Sequence, residues 1–230
     1  MNRTLGLVGG TSWISTIDYY RLINEGVTAR LGGNQSASCV IHSFNYGDIQ
    51  ALTFRKDWDG VLNVVGAAAA NLVRSGAEGI VLCANTMHVI ADGLAERIDV
   101  PIIHIVDATA DRIAATGLDR VALLGTRFTM EMDFFKDRLA RRGISVSIPN
   151  DADRDFIHAS IFGELASGAF TPPTKQRYLD IIGKLGAGGA QGAILGCTEI
   201  PIVIKAGDTA LPLFDTTAIH AEAAVRFATT

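Results

Sequence analysis

The chain has 230 residues, 48% of them hydrophobic and 19% charged, with a formal net charge of −4. That composition belongs to a folded globular protein and excludes a disordered chain. The acidic balance gives no basic footprint, so no nucleic-acid partner is expected. No apolar run reaches the roughly 18 residues of a membrane span, and the N-terminus lacks a signal-peptide pattern, so the expected location is cytoplasmic. Three widely spaced cysteines, Cys39, Cys83 and Cys197, do not form a disulfide framework, and without Cys-x-x-Cys or His-x-x-x-His pairs no metal site is expected.

Short β-branched, turn-bounded runs are predicted as strands at 4–8, 38–43, 79–83, 102–105, 120–124, 145–147 and 192–195. Amphipathic stretches between them predict helices at 17–31, 58–75, 87–97, 130–142, 175–185 and 218–227. This alternation predicts βαβ units and mostly parallel sheets. The two halves echo one another. GLVGGTS is followed roughly 75 residues later by VLCANT, and VALLGTRFT roughly 72 residues later by AILGCTE. The expected fold is therefore α/β, with two similar lobes related by a pseudo-twofold. Each lobe has a parallel sheet flanked by helices, with an active cleft between them at the strands' carboxyl ends. Residues 1–116 with 210–230 are assigned to the first lobe and 117–209 to the second.

Four strand exits carry the candidate chemistry. Gly10, Thr11 and Ser12 turn into a helix, where backbone N–H groups can hold an anion; Ser12 or Ser15 as a plain N-cap is the competing reading. Asn85, Thr86, Thr126, Thr129 and Thr198 are small donors suited to a carboxylate, although each also suits capping or a turn. Cys197, between Gly196 and Thr198, is a thiol whose pKa a following helix would lower; a buried inert cysteine is the alternative. Glu199 and His88 stand where they could tune that thiol or relay a proton.

Taken together, GGTSW, NTMH, LLGTRFTME, GCTEIP and FDTTAIHAEAAV resemble the aspartate/glutamate racemases, especially the bacterial broad or L-specific members, over essentially the whole chain. The resemblance implies two Rossmann-like lobes, a homodimer, an amino-acid substrate, and neither PLP nor metal. It also implies Cα proton transfer between residues on opposite faces of the substrate. Cys197 matches the base for the L-isomer. Gly10, Thr11, Ser12, Asn85, Thr86, Thr126, Thr129 and Thr198 match carboxylate contacts.

The departure is Ala84, which stands where the family has Cys or Thr; Cys83 comes one place too early and should face the core. Ala84 marks the position of the missing acid or base, in an impaired, one-sided or engineered variant. Asn45 stands where relatives often have Asp, and Phe156 where some place a basic residue. Arg55, Lys56 and Arg127 are then the candidates for a distal carboxylate. Two other functions fit the same residues: a single-cysteine decarboxylase of malonate-type acids, and a non-catalytic binder of amino acids or dicarboxylates.

Overall fold

A computed structural model describes residues 2–230. The chain divides into two compact units, one of residues up to 105 with 217–230, the other of residues 106–216. The first runs β1 (Leu5–Gly9), α1 (Trp13–Leu31), β2 (Cys39–Ser43), α2 (Tyr46–Phe54), α3 (Trp58–Arg74), β3 (Gly79–Leu82), a 3-10 turn (Thr86–Ile90), α4 (Ala91–Ala95) and β4 (Ile102–Ile103). After α5 (Ile105–Ala114), the second contains β5 (Arg120–Gly125), α6 (Arg127–Glu131), α7 (Asp133–Ala140), β6 (Ser145–Ser147) and α8 (Asp151–Gly163). It continues with α9 (Pro172–Ala187), β7 (Gly192–Gly196), α10 (Ile200–Val203) and β8 (Leu213–Asp215), and α11 (Thr216–Ala228) returns the chain to the first unit.

Each unit has one four-stranded sheet with every pairing parallel, in the orders β2-β1-β3-β4 and β6-β5-β7-β8. The central strands β1, β3 and β7 are buried along their whole length, as a parallel sheet covered on both faces requires. Alternation along β1 and β3 sorts their side chains into two cores. Leu5, Leu7, Val81 and Cys83 pack with Tyr19, Ile23 and Ala224; Val8, Ile80 and Leu82 pack with Val61, Val65 and Leu94. A third core joins β5 and β7 to α8 and α9 through Leu124, Leu195, Ile157, Tyr178 and Ile181.

Several boundaries differ from the sequence reading. The units divide at 105/106 and 216/217 rather than at 116/117 and 209/210. Helix α5 goes with the second unit, where Asp107 receives Arg138 of α7 at 2.7 Å and Asp111 receives Arg142, from the turn after α7, at 2.8 Å. The run at 102–105 yields only two strand residues, because Ile105 already begins α5. The helix predicted at 87–97 is a 3-10 turn followed by a short α4, and that predicted at 130–142 breaks at Met132, which is extended. Strand β8 was not foreseen; it is three residues long, after Pro212.

Candidate functional site

In the first unit, β1 and β3 are neighbours in register Val8↔Leu82, so their carboxyl ends lie side by side and bring Gly10–Ser12 together with Ala84–Thr86. Gly10 makes the turn with φ +78°; a Cβ there would lie 2.1 Å from the Phe44 nitrogen, so only glycine fits. Ser12 caps α1 by accepting from Ser15 N–H at 3.4 Å. Thr16, not singled out from sequence, and Ser15, read there only as a possible N-cap, brace these exits. Thr16 Oγ1 accepts from Gly10 N–H at 2.9 Å and donates to Ser12 C=O at 3.0 Å; Ser15 Oγ donates to Cys83 C=O at 2.6 Å. A cluster of hydroxyl residues in a first helical turn is their only sequence signal. Gly10's amide is thus committed to Thr16. The Thr11 hydroxyl is buried with no hydrogen-bond partner among the described residues, a state that a ligand oxygen would relieve.

At the β3 exit, Ala84 packs partly buried against the core shared with Val8 and Leu82, while Cys83 is wholly buried in the opposite core. Burial pushes the Cys83 thiol far above the ordinary thiol range. His88 is 2% exposed. Its Nδ1 lies 3.0 Å from Ala84 C=O and its Nε2 accepts from Ile105 N–H at 3.2 Å, so both nitrogens are engaged with backbone and neither is left for a proton relay.

In the second unit, β5 and β7 are neighbours in register Gly125↔Gly196, which brings Thr126 and Thr129 beside Cys197–Glu199. Thr126 caps α6, accepting from Thr129 N–H at 3.3 Å, and the two hydroxyls meet at 3.2 Å. Glycines at the paired positions are required: a Cβ on Gly125 would come within 2.8 Å of Gly196 C=O. Cys197 Sγ donates to Glu199 Oε2 at 2.8 Å, and Thr198 Oγ1 donates to the same oxygen at 2.8 Å. Cys197 as a residue is only partly buried. Even so, desolvation first, then the Glu199 charge and hydrogen bond, hold its pKa well above the ordinary value. The expected acidifying helix does not operate here: α10 has only four residues and starts beyond Glu199. Cys197 rests as a thiol whose proton already points at a carboxylate.

The remaining candidates are more peripheral. Arg127 is paired with Glu131 and Asp155. Arg55 and Lys56 are exposed at the end of α2. Asn45 donates to Asp48 at 3.2 Å, and Phe156 lies edge-on to Tyr178 with Arg177 over its ring. Among the described residues no group of three or more His, Cys, Asp or Glu is placed to hold a metal ion, and no helix is long and apolar enough to cross a membrane.

A model of the Asp/Glu/hydantoin racemase family matches residues 8–224. The chain belongs to that family. A crystal structure of a Yersinia pestis protein, proposed to be an Asp/Glu racemase, superposes with TM-score 0.94 at 44% identity, covering 99% of this chain and all of that one. An aspartate racemase homologue from Pyrococcus horikoshii superposes with TM-score 0.88 at 34% identity over the full length of both. A glutamate racemase from Deinococcus radiodurans is 27% identical over 152 residues, 65% of this chain and 51% of that protein. All four strand exits fall within the residues that the family model spans.

Proposed function

We propose that this racemase-family chain removes and returns the Cα proton of an acidic amino acid of the aspartate/glutamate type, with Cys197 as the base for the L-isomer. The observation that carries this reading is the 2.8 Å thiol–carboxylate contact between Cys197 and Glu199. Glu199 takes the thiol proton, the thiolate takes the Cα proton, and the reverse sequence returns a proton to carbon, so charge and protons balance. The carbanion-like charge spreads into the substrate carboxylate. Asn85, Thr86, Thr126, Thr129, Thr198 and the Thr11–Ser12 amides are the groups assigned to hold it.

Ala84 has no proton to give, and Cys83 is sealed in the core. Proton return therefore favours the face from which Cys197 removed it, and Cα exchange outpaces inversion. The same single-thiol arrangement suits a decarboxylase of malonate-type acids, in which one acid delivers one proton to one face. Purified protein in D₂O with L- and D-aspartate and glutamate, followed by proton NMR, separates these readings. Loss of the L-isomer's Cα–H signal that disappears in Cys197→Ser supports the proposal. No exchange with any isomer, together with CO₂ release from a substituted malonate, replaces it by the decarboxylase.

A homodimer is proposed on the same resemblance. Its support is an apolar stripe on α1, where Trp13, Ile17 and Tyr20 recur at helical spacing and are 64%, 55% and 49% exposed. Light scattering reads the mass directly.

A further inference from the structure

Both ring nitrogens of His88 are engaged, and its bonds are specific in kind. A carbonyl can only accept, so the nitrogen facing Ala84 C=O, Nδ1 at 3.0 Å, carries the proton. A backbone N–H can only donate, so Nε2, 3.2 Å from Ile105 nitrogen, is bare. Only the neutral Nδ1–H tautomer satisfies both. His88 also donates its own backbone N–H to Asn85 C=O at 3.0 Å. One residue thus holds the carbonyls of two successive peptides, those of Ala84 and Asn85. In a trans peptide the N–H points opposite to the C=O. With both carbonyls turned toward His88, the amides of Asn85 and Thr86 point away from it.

The ring itself is held in a cage of two further imidazoles. His104 lies 4.7 Å and His220 5.3 Å from it between ring centroids, each edge-to-face. His220 is locked in turn, between Tyr19 Oη at 2.8 Å and Ile103 C=O at 2.6 Å.

We propose that His88 is a positioning residue, a neutral two-ended strut that fixes the peptide planes of the Ala84–Thr86 turn so that its amides are aimed at the substrate carboxylate. This rests on the amino-acid reading above, and it replaces proton relay as the role of His88. The strut predicts an asymmetry between two conservative variants. In His88→Asn the amide nitrogen stands near the place of Nδ1 and still donates to Ala84 C=O. His88→Gln reaches instead toward Ile105 N–H and leaves Ala84 C=O unheld.

The test has two parts. Two-bond ¹H–¹⁵N NMR of the histidines at neutral pH should report the Nδ1–H tautomer for His88; an Nε2–H or doubly protonated ring overturns the strut. Titration of L-aspartate, followed by chemical shift and so independent of turnover, should weaken about tenfold in His88→Gln and stay within about twofold of wild type in His88→Asn, with both variants folded by circular dichroism. In exchange kinetics the Gln variant should lower kcat/KM, while the Asn variant keeps it near wild type. Equal binding by all three proteins overturns the proposal, as does a large kcat loss in His88→Asn, the mark of a proton relay. If wild type binds L-aspartate without exchanging it, the proposed activity fails while the strut stands on the binding asymmetry; if wild type does not bind it, both fall.

Discussion

Replacing Glu199 by Gln separates two things that the proposed mechanism joins. Glu199 Oε2 lies 2.8 Å from the Cys197 sulfur. At an effective dielectric of about 20, a unit charge at that distance opposes thiolate formation by roughly 6 kcal/mol. Cys197 is partly exposed, and solvent and relaxation reduce this figure; a third of it, about 2 kcal/mol, is still a factor of roughly 30 in the thiol–thiolate equilibrium. Glu199→Gln removes that charge, so the thiolate fraction at neutral pH should rise by about 10- to 50-fold. Alkylation by iodoacetamide, read at the Cys197 peptide by mass spectrometry to exclude Cys39, should accelerate to match. Cα exchange should do the opposite and fall by about 10²-fold, because the proton acceptor is gone. Slower or unchanged alkylation would refute the electrostatic reading. Faster alkylation with faster exchange would show that the thiolate needs no carboxylate partner, and would remove Glu199 from the mechanism.

Other perturbations follow from the same geometry. Thr11→Val removes a buried hydroxyl that has no partner among the described residues, so the melting temperature should hold or rise while KM for the amino acid increases about tenfold. Loss of stability with unchanged KM would make that hydroxyl structural. Gly10→Ala puts a Cβ against the Phe44 backbone at a positive φ and should cost about 3 kcal/mol or more, measured by urea unfolding; a cost under about 1 kcal/mol would show that the turn yields. The buried His220 has its pKa lowered to about 4 by desolvation, below the ordinary 6.5 that it regains on unfolding. Between these values the unfolded chain binds the extra proton. Stability is therefore full above about pH 6.5 and falls by about 3 kcal/mol as the pH drops to 4. His220→Gln should flatten that part of the profile, measured as melting temperature against pH; parallel profiles would assign the acid sensitivity elsewhere.

The sequence was most legible where physics leaves few choices. Runs such as GLVG and GIVL, apolar and bounded by turns, can only be buried strands, and the position of Cys83 relative to Ala84 follows from the two-residue period of a strand. Paired glycines and threonines at strand ends marked the exits because small residues are needed where neighbouring strand ends approach each other. Less was legible where partners distant in sequence decide the outcome. Helix α5 follows Arg138 and Arg142 into the second unit, and nothing local to residues 105–114 announces that. Thr16 reaches back to Gly10, and His88 to both Ala84 and Ile105, through contacts invisible to a linear pattern. The acidity of Cys197 was misjudged for the same reason. Glu199 is legible as a residue able to tune the thiol, but the sense of its effect depends on its oxygen turning back onto the sulfur, which no linear pattern shows.

The central claim is that Cys197 works from one face while position 84 contributes no proton. L-aspartate in D₂O tests it most directly, with wild type and Ala84→Cys compared side by side, Cα–H loss followed by NMR and loss of optical activity by polarimetry. The account predicts that wild type exchanges faster than it racemises, that Ala84→Cys brings the two rates together, and that Cys197→Ser abolishes exchange in both. Wild-type racemisation as fast as exchange, or exchange that survives Cys197→Ser, would contradict it.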